Sequence, residues 1–251
     1  MLKGLLNSLV SNKKTKKIDV NILPSRGLFY PDDLIIRIER ASEKDISNYK
    51  NNYVNDPLDI IKLIKIIVKN NTILNKGYDF FDISSIDIMY IFFEIVKFTN
   101  DDDMLIYYPK GSLPFNSENF NYFELTDEIM SYYDKENKNF NIRGFKYKLP
   151  SIGVEHSTTR FINESAKRGT ISEFKDKNYD FMYFMGDKNH LTYDEIVNLL
   201  IIFTEELDEE DKETISYIMK LFEGINKYGL VTKEGDIVEM NSLNLSGVFD
   251  V

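Results

Sequence analysis

Apolar residues recur at two spacings along the chain, and these spacings predict both strands and helices. The segment 34–40 (LIIRIER) ends in alternating apolar and charged residues, which is typical of a strand with one buried face. Further strands are predicted at 104–108, 119–125 and 142–149, with a hairpin at 231–240. Apolar helices are predicted at 57–70, 88–98, 196–203 and 212–226, and another helix at 154–168 before Gly169. The sequence therefore predicts an α+β fold in which small antiparallel strands accompany apolar helix hairpins.

Polar residues at the helix starts refine this prediction. Asp56 followed by Pro57 places a capping carboxylate before a proline at the first helical position. Thr192, with Glu195 three residues later, predicts a capping box for the helix 196–203. Within 57–70, the polar residues Asp59, Lys62, Lys65 and Lys69 fall on one stripe, so we expect most of the helix circumference to be buried. Asp87, at the start of the helix 88–98, is expected to favour the positive end of the helix dipole rather than to act in catalysis.

The pentapeptide LPSxG occurs twice, at 23–27 and at 149–153. Proline fixes its own φ and favours an extended conformation in the preceding residue, whereas glycine accepts a φ that other residues resist. The unit therefore predicts a rigid extended entry followed by a sharp turn, which is an architectural role. Its structural residues are Leu23, Pro24, Ser25 and Gly27 in the first copy, and Leu149, Pro150, Ser151 and Gly153 in the second.

The two copies suggest that the chain consists of two similar halves. Two predicted helices and then strands follow each copy. We predict an amphipathic N-terminal tail, an α+β half, a polar linker and a second α+β half, with these bounds: 1–19, 20–125, 126–139 and 140–251. A true duplication and the chance recurrence of a short motif both stay open.

The composition of the chain argues against some classes of binding partner. The formal net charge of −10, from 31 basic and 41 acidic side chains, is poorly suited to neutralising phosphates, so we expect no nucleic-acid partner. The absence of cysteine excludes disulfides and thiolate zinc sites, and fits a reducing compartment. The apolar helix 88–98 is shorter than the roughly 20 residues that a bilayer requires, so we expect no membrane partner.

No motif for catalysis or for metal binding stands out. The two histidines, His156 and His190, are not in a metal-binding arrangement such as HExxH, and the chain contains no GxSxG, GxxxxGK[ST] or GxGxxG sequence. The acidic run at 100–103 lacks the ligand spacing of a calcium loop. We therefore expect no catalytic residue, metal or cofactor. Scattered carboxylates that converge in space stay an alternative, because spacing along a sequence does not show convergence.

The segment 23–31 (LPSRGLFYP) resembles the N-terminal signature of base-plate hub proteins from T-even-type, contractile-tailed bacteriophages. The resemblance continues through the predicted helix pair at 56–98, the second LP-containing segment and the acidic helix start near Asp211. Many of those proteins carry paired Cys-x-x-Cys motifs in strand segments, and this chain has none. Any stabilisation by a zinc ribbon is therefore absent here.

The resemblance implies a non-enzymatic subunit, or an assembly protein, of the tail base-plate hub. It would act through contacts with other tail and base-plate proteins, as part of an oligomeric assembly. Its location would be the virion tail base plate, and the host cytoplasm during assembly. Two alternatives are a chaperone for the tail tape-measure protein that leaves before the virion matures, and a hub-associated hydrolase.

Candidate contact residues come from the predicted tail, the first motif and the C-terminus. They are Leu5, Leu6 and Leu9 in the tail, Arg26, Phe29 and Tyr30 in the loop, and Val248 and Phe249 near the end. For Phe29 and Tyr30 the alternative is internal packing against the first strand, and for Arg26 it is a solvated loop position.

Overall fold

The computed structural model describes residues 14–54, 56–101, 104–115, 119–121, 124–174, 179–185, 190–226, 229–232, 235–239 and 243–250. Its strands are β1 (Thr15–Lys17), β2 (Ile36–Glu39), β3 (Thr72–Leu74), β4 (Leu105–Tyr108), β5 (Gly111–Pro114), β6 (Phe120–Asn121), β7 (Tyr133–Asp134), β8 (Asn139–Ile142), β9 (Phe145–Tyr147), β10 (Gly229–Val231) and β11 (Ile237–Glu239).

The α-helices are α1 (Glu43–Asn52), α2 (Pro57–Asn71), α3 (Ile88–Asn100), α4 (Asp127–Ser131), α5 (Ile152–Arg168), α6 (Ile171–Phe174), α7 (Tyr193–Ile201) and α8 (Glu209–Leu221). A 3-10 turn, Ser85–Asp87, leads directly into α3, and a π-helical turn, Ile202–Glu206, extends α7. Across the described residues, none of the helices has the length and apolar character needed to cross a membrane.

Antiparallel pairing joins the strands into small sheets. In one sheet β2 lies between β1 and β3, and Ile38 stands opposite Lys16 and Thr72. In another, β10 lies between β11 and β6, while β4 pairs with β5 and β8 pairs with both β7 and β9. The fold is therefore α+β with small antiparallel sheets, as the sequence predicted.

Local signals placed several helix boundaries correctly. The Asp56 carboxylate caps α2 by accepting hydrogen bonds from the backbone amides of Leu58 and Asp59, at 2.9 and 3.2 Å. Thr192 caps α7 in the predicted capping box, and α5 ends at Gly169, whose φ of 76° lies in the left-handed region.

The predicted continuous strand at 142–149 is wrong. Arg143 and Gly144 adopt positive φ values of 50° and 89°, which turn the chain between β8 and β9. Two consecutive residues with positive φ suit the tight turn of a hairpin. The predicted segment is thus the end of one strand, a two-residue turn and the next strand.

Three clusters of buried side chains form the core. The first cluster surrounds α2 and α3, where every side chain from Ile88 to Val96 is buried. The second cluster packs β8 and β9 against α8 through Phe140, Tyr147 and Phe222. The third lies between α5 and α7 and includes Phe161 and Leu200.

Packing does not follow the predicted division into halves. Leu230, Leu243 and Phe249, from the C-terminal half, belong to the cluster around α2 and α3. The segment 126–139, expected to be a linker, contains α4, β7 and the start of β8. Leu230, Leu243 and Phe249 are therefore part of the same packed cluster as α2 and α3 of the N-terminal half. Whether the two motifs reflect a duplication stays open.

The C-terminal segment is anchored to α1 and α3. The ring of Phe249 lies 5.4 Å from that of Tyr49 and 6.1 Å from that of Phe92, and the Tyr49 hydroxyl donates a hydrogen bond of 3.1 Å to the Leu245 carbonyl. The side-chain amide of Asn100 donates to the Val248 carbonyl at 3.0 Å. These contacts fix the C-terminus against the first cluster.

Replacing Phe249 with alanine should lower the free energy of unfolding by about 3 kcal/mol, because it removes a buried ring and leaves a cavity. Urea denaturation measures this change. Tyr107→Ala is the control, because the Tyr107 side chain is 58% exposed and its loss should cost less than about 1 kcal/mol. Equal effects of the two substitutions would show that the C-terminus is not part of the core.

Candidate functional site

The first LPSxG motif is held by a buried carboxylate 62 residues further along the chain. The backbone amide of Ser25 donates to Asp87 Oδ1 at 2.7 Å, and the hydroxyl of Tyr30 donates to Asp87 Oδ2 at 2.5 Å. The same hydroxyl accepts a hydrogen bond of 3.0 Å from the backbone amide of Ser84. Both ends of the loop that contains the motif are therefore tied to the segment that precedes α3.

The second motif lies against the same segment. The backbone amide of Ser85 donates to the Pro150 carbonyl at 3.0 Å, and the backbone amide of Ile152 donates to the Ile83 carbonyl at 2.8 Å. Ser84 and Ser151 consequently form an antiparallel bridge. We call the segment Ile83–Asp87 the junction, because both LPSxG motifs are hydrogen-bonded to it.

The two motifs nevertheless have different conformations. In the first, Arg26 and Gly27 have φ values of 51° and 71°, which give the predicted sharp turn. A Cβ on Gly27 would lie 3.1 Å from Val20 Cγ2, so both the backbone and its surroundings favour glycine. In the second motif Ser151 caps α5 and Gly153 lies in its first turn, so the predicted turn after the proline is wrong there.

Asp87 is fully buried at the predicted helix start, and its carboxylate has hydrogen-bond partners that the sequence did not indicate. It stands at the start of α3 but makes no side-chain hydrogen bond to that helix, and accepts from the first motif instead. Burial raises its pKa to about 6, although the hydrogen bonds from Ser25 and Tyr30 favour the charged form and oppose this rise. The pKa of Tyr30 is raised as well, by burial and by the charge of Asp87.

The polar side chains at the junction are enclosed by the protein. Asp87, Ser25 and Ser84 have exposed fractions of 0, 0 and 2%, so solvent and substrates do not reach them. A cavity of about 160 Å³ lies beside the junction, and the carboxylate that lines it, Glu155, is ion-paired with Lys65 at 2.7 Å. Within the described part of the chain, this cavity therefore contains no carboxylate pair suited to glycoside hydrolysis.

Four of the five proposed contact residues that the structure describes are internal, which corrects the prediction for those four. Phe29, Tyr30, Val248 and Phe249 have exposed fractions of 4, 3, 8 and 5%. The internal alternative for Phe29 and Tyr30 is therefore right, although Phe29 packs against Phe140, at 6.0 Å between ring centres, and not against the first strand. Hydrophobic burial already uses these rings, so a partner would have to unfold the segment to reach them.

The remaining proposed contacts are Arg26 and three leucines of the N-terminal tail. Arg26 is half-buried in the left-handed turn of the first motif. Leu5, Leu6 and Leu9 lie outside the described residues.

A group of exposed apolar side chains lies on α2 and just before it. Leu58, Ile61 and Ile66 are 71, 43 and 42% exposed, and Val54, just before the helix, is 56% exposed. We call these four side chains the α2 face. A groove of about 340 Å³ runs beside it, lined by Asn48, Asn52, Val54, Asp59, Lys62, Leu63 and Ile66. Exposed aliphatic side chains beside a groove make this region a candidate protein-binding surface.

The prediction that most of the circumference of this helix is buried is wrong, because Leu58, Ile61 and Ile66 are exposed in addition to the charged residues. At about 100° per residue, Leu58 lies within about 40° of both Lys62 and Lys69, and Ile61 and Ile66 lie on either side of it. The aliphatic residues are thus interleaved with the charged ones on one arc. A helical projection of 57–71 shows these aliphatic residues on the same arc as the lysines. They were missed in the sequence because only the positions of the polar residues were considered.

The rings of both histidines lie close to one aromatic ring. The centre of the Phe81 ring is 5.3 Å from the His156 ring and 5.6 Å from the His190 ring, and Lys69 Nζ lies 5.7 Å from the same ring centre. No group of three or more histidine, cysteine, aspartate or glutamate side chains among the described residues is arranged to hold a metal ion.

Comparison of the chain with protein-family models, with curated proteins and with solved structures finds no match.

The raised pKa of Asp87 predicts a specific dependence of stability on pH. Its folded pKa, about 6, lies above its ordinary value of 3.8, so the folded state binds the proton more tightly. The resulting stabilisation is fully present below about pH 4 and is lost as the pH rises through about 6. Relative to Asp87→Asn, the wild type should lose about 3 kcal/mol over this range, at about 1.4 kcal/mol per unit.

Urea denaturation of both proteins between pH 4 and pH 7 measures this difference. Subtracting the variant removes the contributions of other carboxyl groups that titrate alike in both proteins. A difference that stays constant across the range would mean that Asp87 is not held in a buried site.

Proposed function

We propose that this chain is a non-enzymatic subunit or assembly protein of a contractile-tail base-plate hub, and that it acts through the α2 face. The segment 23–31 supports the class of protein through its resemblance to base-plate hub proteins. The observation that supports action through this surface is the exposure of the four aliphatic side chains of the α2 face in the folded protein.

The polar network of the junction supports the non-enzymatic part of the proposal. An acid or base that acts on a substrate must come within hydrogen-bond reach of it. Asp87 is instead enclosed, and both of its oxygens accept hydrogen bonds from the chain itself. The perturbed pKa of this group therefore has a structural explanation.

The first motif supports the proposal as a scaffold rather than as a contact. Its hydrogen bonds to the junction hold the loop that follows the 3-10 turn Val20–Ile22 against the start of α3. In this proposal the family signature is a folding element, and the binding surface lies elsewhere. The earlier candidates Phe29, Tyr30, Val248 and Phe249 are replaced by Val54, Leu58, Ile61 and Ile66.

During assembly the protein would be in the host cytoplasm, and afterwards it would either remain in the base plate or leave. Purified mature particles distinguish these two outcomes. A subunit is present at a fixed number of copies, whereas an assembly protein is absent from the particles.

Leu58→Asp should prevent base-plate assembly in infected cells that contain only the variant, and we expect at least about tenfold fewer complete particles. A carboxylate at the centre of the α2 face would have to be desolvated on binding. Because Leu58 is 71% exposed, the purified variant should unfold within about 1 kcal/mol of the wild type. Particle yield and urea denaturation are the two measurements.

Leu105→Asp is the matched control, since Leu105 is a 50% exposed leucine outside the α2 face. It should leave the particle yield unchanged. Normal yield from a folded Leu58→Asp protein would contradict the proposed role of this surface.

A further inference from the structure

The outward-facing arc of α5 is positively charged. The buried side of this helix contains Phe161 and Ser165, with exposed fractions of 1 and 0%. At about 100° per residue, four exposed side chains fall within about 60° of one another on the opposite side. We call these four side chains the α5 stripe: His156, Arg160, Asn163 and Lys167.

The carboxylates beside the stripe are already paired. Glu155 and Glu164 lie on either side of the arc. Glu155 is ion-paired with Lys65 at 2.7 Å, and Glu164 is ion-paired with Arg168. Among the described residues, neither cation of the stripe is itself in an ion pair. Positive charge is therefore left exposed here, although the chain has a net charge of −10.

Arg160 is held in a position from which it can bind an anion. Its guanidinium donates a hydrogen bond to the Leu191 carbonyl, and its remaining N–H groups stay available as donors. A planar guanidinium matches a carboxylate through two parallel hydrogen bonds. A side chain that is already fixed loses less conformational freedom on binding, which favours affinity.

A groove and a neighbouring lysine extend this surface. The groove, of about 370 Å³, lies over the stripe, and Thr159 and Glu164 complete its lining. At the N-terminal end of the stripe, the His156 ring lies 5.3 Å from the centre of the Phe81 ring, and Lys69 Nζ lies 5.7 Å from the same centre. Lys69 therefore adds a third positive charge near this end.

We propose that the α5 stripe binds an acidic segment of a partner protein, in the form of an extended run of glutamate or aspartate residues. From residue 156 to residue 167 the stripe is about 16 Å long, at about 1.5 Å per residue. An extended peptide of about five residues has the same length, at about 3.3 Å per residue. Its carboxylates pair with Arg160 and Lys167, which are about two helical turns apart.

This surface is separate from the α2 face, and the proposal does not depend on the proposed function. The partner is identified by its charge, because the exposed cations of the stripe complement a run of carboxylates. A longer acidic run would also reach Lys69.

The chemistry of the stripe favours carboxylates over a nucleic acid. Proteins that bind single strands combine a basic groove with aromatic side chains on which successive bases stack. The stripe has one ring, that of His156, and this ring already lies against Phe81. The net charge of −10 also opposes the approach of a long polyphosphate.

Fluorescence anisotropy of a labelled hexaglutamate peptide, titrated with the full chain at low ionic strength, tests the proposal. We expect a dissociation constant on the order of 100 μM for the wild type, because exposed ion pairs are individually weak. Replacing both cations, in Arg160→Gln/Lys167→Gln, should weaken binding at least about fivefold. Added salt should weaken binding to the wild type as well, because it screens these contacts.

Lys110→Gln/Lys220→Gln is the matched control. Both lysines are exposed, Lys110 in the turn between β4 and β5 and Lys220 in the last turn of α8, so the net charge changes by the same amount. This control should bind hexaglutamate within about twofold of the wild type.

Lys167→Gln alone guards against a folding defect from the lost contact between Arg160 and Leu191. It changes only an exposed side chain and should weaken binding about twofold to threefold. Urea denaturation shows whether each variant is folded.

Weaker binding by the folded stripe variants, together with normal binding by the control, supports the proposal. Absence of hexaglutamate binding up to about 1 mM protein overturns it, and so do equal losses in the stripe variant and the control. Tighter binding of a labelled hexathymidylate through the same two residues would assign the stripe to nucleic acid and overturn the proposal. Self-association of the wild type that the stripe variant abolishes would assign the stripe to the acidic residues 205–213 of a second copy, and would overturn it as well.

Discussion

The hydrogen bonds of the junction, Ile83–Asp87, are the constraint on which the rest of the structure depends. One short segment accepts the first LPSxG motif through the carboxylate of Asp87 and pairs with the second through the backbone of Ile83 and Ser85. A buried charge is expensive unless it is hydrogen-bonded, so the carboxylate makes the position of the first loop specific. The start of α3 is fixed by the same contacts, and α3 is the most completely buried helix of the described chain.

The architecture follows from this arrangement. With α3 held at its start, the C-terminal segment closes over its end, where Phe249 and Val248 complete the first cluster. The second motif connects β9 to α5. Leu149 of this motif belongs to the second cluster, and Val154, just after it, belongs to the third. What remains outside is the outer arc of α2, since its inner face packs on α3 and its outer face has no covering element among the described residues. The motifs and the junction, which form the scaffold, are thus buried, whereas the proposed binding surface on α2 is exposed.

The sequence predicted what is local. Asp56 with Pro57, Thr192 with Glu195, and Gly169 each act on backbone groups within a few residues, and each has the predicted role. The spacing of apolar residues along the chain likewise predicted that the helices exist and that the fold is α+β. The hairpin at Arg143 and Gly144 was missed because its turn interrupts a run that reads as one strand.

The failures involve partners that are distant in sequence. Asp87 was interpreted as a helix-start carboxylate because nothing near it indicates Ser25 or Tyr30 as donors. Gly153 was interpreted as a turn residue because it belongs to an LPSxG motif. In the structure Ser151 caps a helix at this position, so the second motif has a different conformation from the first. Phe29 and Phe249 are rings that suit a core or an interface equally well, and only the packing decides. The α2 face was missed for a different reason, because a helical projection of the sequence already places its aliphatic residues on the solvent side.

The central claim is that the junction joins both motifs into one cooperative unit, and native-state amide hydrogen exchange tests it most directly. The amide of Ser25 donates to Asp87, and the amide of Ile152 donates to Ile83. The account predicts that the two amides exchange with the same opening free energy, and that Asp87→Asn lowers both together. If Asp87→Asn accelerates exchange at Ser25 and leaves Ile152 unchanged, the two motifs are held independently and the account is contradicted.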